Sequence, residues 1–216
     1  MVVLVTAWVA GAQRTRPDDG GSGSTDVVRL GPDPGEDVAA YLTRIAAVPD
    51  PEDPQPRLAL VQFAAGLTPE AAAPAVGNAV GLRAVVRVPF PRVQTALRDV
   101  DLQPAPPLTA LRAALTTAAG QARQDAATGA PGTRRTAVAA AEAAALERPD
   151  CGCLVAVVVR VAPSDVGSLR SAPGVRGVQV APVGTARSRL AVSPLLPDQG
   201  PVAGPVPDDG PVPTGG

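Results

Sequence analysis

Two cysteines separated by one residue, Cys151 and Cys153, are the only cysteines of the chain and its most reactive candidate side chains. Their Cys-x-Cys spacing differs from the Cys-x-x-Cys of thiol redox proteins, where a helix N-terminus lowers the thiol pKa. Here the pair precedes a predicted strand, and two thiolates alone cannot complete a tetrahedral zinc site. We therefore interpret Cys151 and Cys153 as a disulfide or thiol pair at a strand entrance. Redox chemistry, soft-metal binding and pairing with another chain are the alternatives.

Four arginines on predicted strands form a second candidate set: Arg83, Arg87, Arg160 and Arg176. Side chains alternate between the two faces of a sheet, so some of these arginines are expected on the face opposite the helices. We predict that this open face binds a protein partner. The alternative is a set of solvated surface charges.

Several classes of chemistry are excluded or disfavoured by residue type. The chain has no histidine, which excludes Ser-His-Asp and Cys-His catalysis and His-ligated zinc within it. No phosphate-binding glycine motif or nucleophile elbow opens a helix after a strand. The net charge is −1 and Arg134-Arg135 is the only adjacent basic pair, so nucleic-acid binding is not expected. Asp208-Asp209 lies in a Gly/Pro-rich stretch and is interpreted as solvated linker charge. We predict a protein that is not an enzyme and has no catalytic residue, metal or cofactor.

The N-terminus is the principal indication of location. Residues 1–12 (MVVLVTAWVAGA) are uncharged and apolar, and Ala10-Gly11-Ala12 has the small-x-small pattern of a signal cleavage site. A spanning helix needs about 20 apolar residues, so the segment is predicted to be an anchor or signal, and we expect its start to lie further upstream. Residues 13–35 are predicted to be a flexible linker. The alternative is a buried strand at the N-terminus.

The rest of the chain contains two strand-helix-strand units. The first combines strands at 58–64 and 82–88 with a helix that begins after Thr68. The second combines strands at 154–161 and 175–180 with a short helix opened by Pro163. Two βαβ units predict an α+β, ferredoxin-like fold, in which a four-stranded antiparallel sheet carries helices on one face. Hydrophobic residues are 45% of the chain and aromatic residues only 2%, so the core must consist of Val, Leu and Ala.

The long connection between the units is predicted to be helical. Its Ala-rich sequence favours a helical hairpin, at 108–128 and 133–148, inserted within 92–150 and preceded by a short helix at 93–100. The remaining boundaries follow from composition: a ferredoxin-like domain at 36–190 with a first helix at 37–47, and a Pro/Gly-rich disordered tail at 191–216.

Two resemblances add to this interpretation. Residues 169–178 (LRSAPGVRGV) resemble the end of subtilisin-type propeptides and related proteinase-inhibitor domains, in which a short helix, a Pro-Gly turn and a V-x-x-V strand recur. That resemblance implies inhibition or chaperoning of a protease. The whole chain resembles membrane-anchored proteins of actinobacteria, through its apolar start, the helix at 41–44, the strand and helix at 58–79, and a Pro-Leu-Leu-Pro segment at 194–197. This second resemblance implies a location and no activity.

The expected function is a non-enzymatic, membrane-associated interaction or sensory domain. The N-terminal segment would contact the membrane as a single-pass anchor with the domain on the extracytoplasmic side, and a secreted protein is the alternative. A protease propeptide or inhibitor-like module and an enzyme of unrecognised type are the alternative functions.

Overall fold

In the computed structural model, the described residues are 27–46 and 55–213. The strands are β1 (Val28–Leu30), β2 (Arg57–Leu67), β3 (Val80–Val86), β4 (Arg98–Asp101), β5 (Leu154–Val161), β6 (Val175–Val180) and β7 (Leu190–Val192). The helices are α1 (Val38–Arg44), α2 (Pro69–Val76), α3 (Pro107–Thr128), α4 (Arg134–Leu146) and α5 (Val166–Ser171). Within the described ranges, no helix combines the length and apolarity needed to cross a bilayer. The predicted anchor at 1–12 lies outside those ranges.

A mixed α+β architecture is built on a five-stranded antiparallel sheet with the order β4-β3-β5-β2-β6. A small parallel sheet pairs β1 with β7. The central strand β5 reads LVAVVVRV, and residues 154–159 are all buried because both faces of the strand are covered. The predicted strands at 58–64, 82–88, 154–161 and 175–180 all fall on strands of the large sheet.

One face of the large sheet carries the helices. Small side chains of α2 and α3, such as Ala72, Ala75 and Ala118, are fully or almost fully buried against valines of the sheet. Helices α3 and α4 pack against each other and form the inserted hairpin close to its predicted bounds. Alanine at these contacts allows the helices to approach the sheet closely, so this core needs few aromatic side chains.

The central part of the opposite face of the sheet is covered, whereas the sequence predicted an open face. Leu60, Val85 and Val158 point to this side and form a second buried cluster with Leu30 of β1 and Leu190 of β7. Residues 28–30 therefore belong to a strand, although the sequence predicted a linker over 13–35. Their pairing with residues 190–192 joins parts of the chain that are 162 residues apart, and no local pattern reports such a contact.

The predicted helix at 93–100 is wrong. Residues 98–101 form β4, which pairs with β3 at the edge of the sheet and makes the predicted four-stranded sheet five-stranded. Arg98 and Val100 are buried while Asp99 and Asp101 are exposed, which is the alternation of a strand with one covered face. The pairing with β3 outweighs the local helical spacing of the segment.

The segment predicted as a disordered tail is ordered through residue 213. We call residues 193–213 the strap. Leu195 is fully buried, and its amide donates to the Oε1 atom of Gln62 at 2.7 Å. Ala203 is buried and pairs with residues 35–38, which we call the N-terminal arm; its amide donates to the carbonyl oxygen of Glu36 at 2.8 Å. The strap lies along the folded domain because its few apolar side chains are buried there and its backbone forms hydrogen bonds there.

Candidate functional site

A charged cleft of about 950 Å³ lies beside the turn of the helical hairpin. It is lined by side chains from the loop that leads into β4 (residues 94–98), from the facing ends of α3 and α4 (residues 125–142), and by Asp208 of the strap. We call this depression the cleft. Three parts of the chain that are distant in sequence therefore meet at one site.

The floor of the cleft is a buried ion pair. Glu142 of α4 accepts one hydrogen bond from Nη2 of Arg98 and another from the amide of Ala96, both at 2.6 Å. Nη1 of Arg98 donates to Asp125 of α3 at 2.7 Å. Arg98 is 7% exposed and Glu142 is 2% exposed, so this pair is shielded from water. The arginine thus ties the sheet edge to both helices of the hairpin.

Arg98 keeps its positive charge although it is buried. Burial acts to lower the pKa of Arg98, but its hydrogen bonds to Glu142 and Asp125 outweigh burial and hold that pKa above its ordinary value. The guanidinium is therefore a fixed positive charge at the base of the cleft.

Exposed ion pairs with the strap form the rim. Nη2 of Arg134 donates to Oδ1 of Asp208 at 3.0 Å, and the same oxygen accepts from the amide of Gln94 at 2.9 Å. Arg92 binds both carboxylate oxygens of Asp209 through Nε and Nη2. The hydrogen bond from Arg134 is the main reason why the pKa of Asp208 lies below its ordinary value, and Arg92 has the same effect on the pKa of Asp209. These aspartates are thus paired with arginines, contrary to their interpretation as solvated linker charge.

Local sequence explains how the walls are placed. Thr133 caps α4 by accepting from the amide of Thr136 at 3.3 Å, which starts the helix beside the cleft and puts Arg134 in its first turn. Before β4 the chain turns at Arg92, whose φ of 55° lies in the left-handed region. Thr95 closes this turn by donating from Oγ1 to the carbonyl oxygen of Val88 at 2.6 Å.

This arrangement is suited to recognition of charged or polar groups. The carboxylates of Asp125, Glu142 and Asp208 each accept at least one hydrogen bond from an arginine. For Asp208, the hydrogen bond from Arg134 lowers the pKa and so stabilises the carboxylate as an anion. Within residues 27–46 and 55–213, no group of three or more acidic or cysteine side chains is placed to hold a metal ion.

The two cysteines predicted as a disulfide or thiol pair form a disulfide whose Cα atoms are 5.2 Å apart. Cys153 is fully buried and Cys151 is 7% exposed, directly before β5 and in the core on the helical side of the sheet. The disulfide lies outside the lining of the cleft.

The four arginines predicted as a partner-binding face do not share one open surface. Arg87 is 4% exposed and donates to both carboxylate oxygens of Asp198 in the strap, at 3.0 and 2.9 Å. Arg176 donates to two strap carbonyl oxygens, at residues 196 and 199. Arg83 lies within 4 Å of the two aspartates of β4. Arg160 is exposed. Two of the four arginines, Arg87 and Arg176, therefore bind the strap.

Sequence reasoning missed the residues of the cleft floor. Glu142 carries the only charge between Arg135 and Glu147 in an Ala-rich helix, and a lone charge in such a run is a signal for a buried pair. Arg98 gave no comparable signal, because its burial depends on the pairing of β4 with β3.

No family model, no curated protein and no solved structure is similar to this chain.

Proposed function

We propose that this chain is a non-enzymatic interaction or sensory domain that sits outside the cytoplasm, is held at the membrane by its apolar N-terminus, and binds a protein partner at the cleft. The observation that carries the proposal is the way in which the charges of the cleft are engaged. The carboxylates of the floor and rim are hydrogen-bonded to arginines, so charged groups are held in fixed positions where they can complement the charges of a partner.

The strand order supports a ferredoxin-like assignment within the broader α+β architecture. The units β2-α2-β3 and β5-α5-β6 interleave, since β5 lies between the strands of the first unit and β2 between those of the second. Helices α2 and α5 both contribute to the core on one face of the sheet. This order favours a split βαβ fold, in which β4 and the α3–α4 hairpin would be additions.

The disulfide supports the proposed compartment. Disulfides persist in oxidising environments such as the cell exterior and are rare in the cytosol. Because both cysteines are buried, native material is unfolded in denaturant before free thiols are alkylated, and mass spectrometry should show Cys151 and Cys153 unmodified until a reductant is added. Immediate labelling of both cysteines in freshly lysed cells would argue for a cytosolic protein.

N-terminal sequencing of native protein distinguishes the anchored form from the secreted form. Retention of residues 1–12 in the membrane fraction supports an anchor, whereas a chain that begins after Ala12 in the medium supports secretion. A chain with residues 1–12 intact in the soluble cytosolic fraction contradicts both.

Site-specific crosslinking tests the binding role of the cleft. A photo-crosslinking residue replaces Thr128, an exposed cleft residue on α3, or Thr116, an exposed residue of the same helix outside the cleft. We expect one defined adduct from position 128 in native membranes and none from position 116. Equal labelling from both positions, or no adduct from position 128, would contradict a partner site at the cleft.

A protease inhibitor-like module is the second candidate. Helix α5, the Pro173-Gly174 turn and β6 follow one another as the resemblance of residues 169–178 implies. The sheet face opposite the helices is covered by β1, β7 and the strap, which leaves less surface for a protease. Flat inhibition curves against a panel of serine proteases would eliminate this candidate.

A further inference from the structure

The strap is attached in two different ways along its length. Its first part, residues 193–204, is held by the buried side chains of Leu195 and Ala203 and by backbone hydrogen bonds to the N-terminal arm. We call residues 207–213 the tip. Pro207, Asp208 and Asp209 are all exposed, and the tip is held by polar contacts at the rim of the cleft. The tip therefore lacks the buried apolar side chains that anchor the first part of the strap, although Gly210 within it is buried.

The contacts of the tip are those of a bound acidic peptide. Asp208 and Asp209 each bind a different arginine, Arg134 and Arg92. The backbone is recognised as well, since Nη2 of Arg134 donates to the carbonyl oxygen of Gly210 at 2.8 Å. The amide of Gly210 donates to the carbonyl oxygen of Arg92 at 2.7 Å. Two adjacent carboxylates and the main chain that joins them are bound together, which a small anion does not reproduce.

The fit at Gly210 is close. A Cβ atom on this residue would lie 2.5 Å from the carbonyl oxygen of Pro91 and 2.8 Å from that of Arg92. Both atoms belong to the backbone and cannot move aside as a flexible side chain does. The surroundings therefore fit the sequence Asp-Asp-Gly through the charge of its first two residues and the small size of the third.

We propose that Arg92, Arg134 and the amide of Gln94 form a binding site for an acidic peptide, and that the tip of the strap occupies this site as an internal ligand. The inference rests on the proposed function, because it identifies the partner of the cleft as a protein with an acidic segment of this kind. Detachment of the tip leaves both arginines without a carboxylate. Arg135 is exposed and has no ion-pair partner in the described ranges, so detachment of the tip leaves three arginines without a carboxylate: Arg92, Arg134 and Arg135. The partner displaces the tip by charge complementarity with these three arginines.

The test uses the full chain and two synthetic peptides. One peptide has the sequence of residues 203–213 (AGPVPDDGPVP), and in the other both aspartates are replaced by asparagine. The chain is studied as it stands and with Asp208→Asn and Asp209→Asn, which removes the internal carboxylates. A tethered segment competes at an effective concentration in the millimolar range, so we expect the acidic peptide to bind the substituted chain at least about tenfold more tightly than the unsubstituted chain. Titration followed by ¹H–¹⁵N NMR measures this difference and locates the peptide.

Glycine variants provide a matched control that leaves every charge unchanged. Gly210→Ala should detach the tip and increase acidic-peptide binding by a similar factor, because the added methyl group meets the backbone. Gly204→Ala should not, since nothing lies within 4 Å of a Cβ atom there. Arg134→Gln in the chain with both asparagine substitutions should remove most of the binding.

Three outcomes would overturn the proposal: equal binding of the two peptides, binding that survives Arg134→Gln, or no binding to any form of the chain. The titration needs neither membrane nor cellular partner. Peptide binding without crosslinking from position 128 would refute the proposed function alone. A crosslinked partner without peptide binding would refute only the acidic-peptide site.

Discussion

Replacement of Glu142 by glutamine tests whether the buried ion pair at the floor of the cleft stabilises the folded protein. The variant keeps the shape of the side chain but removes its charge and turns one of its two acceptor oxygens into a donor. That donor must face either Nη2 of Arg98 or the amide of Ala96, each of which lies 2.6 Å from a carboxylate oxygen in the native protein. One buried donor is therefore left without an acceptor.

The expected cost follows from burial. Loss of one partner of a buried ion pair typically costs about 3–5 kcal/mol. Arg98 keeps its hydrogen bond to Asp125 at 2.7 Å, so we place Glu142→Gln at the lower end, about 3 kcal/mol. For a chain of this size, that loss corresponds to a fall in Tm of about 6–12 °C. Urea unfolding followed by circular dichroism, with the disulfide intact, measures the free energy of unfolding.

Glu147→Gln is the matched control, because this residue is five positions further along and forms an ion pair with Arg123 that is more than half exposed on both sides. It should change the free energy of unfolding by less than about 1 kcal/mol.

The double substitution Arg98→Met with Glu142→Leu should cost about 2 kcal/mol less than the sum of its single substitutions, because it leaves no unpaired buried charge. A cost for Glu142→Gln no larger than that of the control, or strict additivity in the double variant, would refute the reasoning.

Three further results are expected. Acidification should release the strap tip, because the arginines that contact Asp208 and Asp209 hold the pKa values of these carboxyls below the ordinary 3.8. Because the pKa values are lowered in the folded state, the contact is complete above about pH 5 and is lost as the pH falls through the lowered values. The NMR shifts of the tip amides would report this loss. Gly66→Ala should destabilise the protein by at least about 2 kcal/mol in urea unfolding, because the new methyl group would overlap the backbone carbonyl of Gly152. Tyr41→Phe should cost about 1–2 kcal/mol in the same assay, since burial raises the pKa of Tyr41 to about 12 and its protonated hydroxyl joins α1 to the sheet.

The four principal strands and the hairpin helices could be predicted because their signals are local. The valine-rich run at 154–161 favours a buried strand, and the Ala-rich segments at 108–128 and 133–148 favour helix wherever they are placed. Each of these three segments carries its own pattern over eight or more residues. Tertiary contacts reinforced that pattern and did not reverse it.

The segment at 93–101 shows why shorter elements could not be predicted in the same way. Its sequence permits helical spacing and strand alternation alike, and pairing with β3 decided between them. The burial of Arg98 followed from that pairing, and so did the floor of the cleft. The candidate site depends on one edge strand and could therefore not be predicted from the sequence.

Composition and local pattern thus determined by themselves the α+β class, the main strands and helices, the Val/Leu/Ala core and the absence of histidine chemistry. Only the tertiary structure decided that the Pro/Gly-rich segment lies along the folded domain, that arginines bind its aspartates, and that most of the sheet face opposite the helices is covered. The physical reason is that these features depend on contacts between residues far apart in the chain. The ion pair of Arg92 with Asp209, for example, joins positions 117 residues apart, and its stability depends on the folded surface that brings them together.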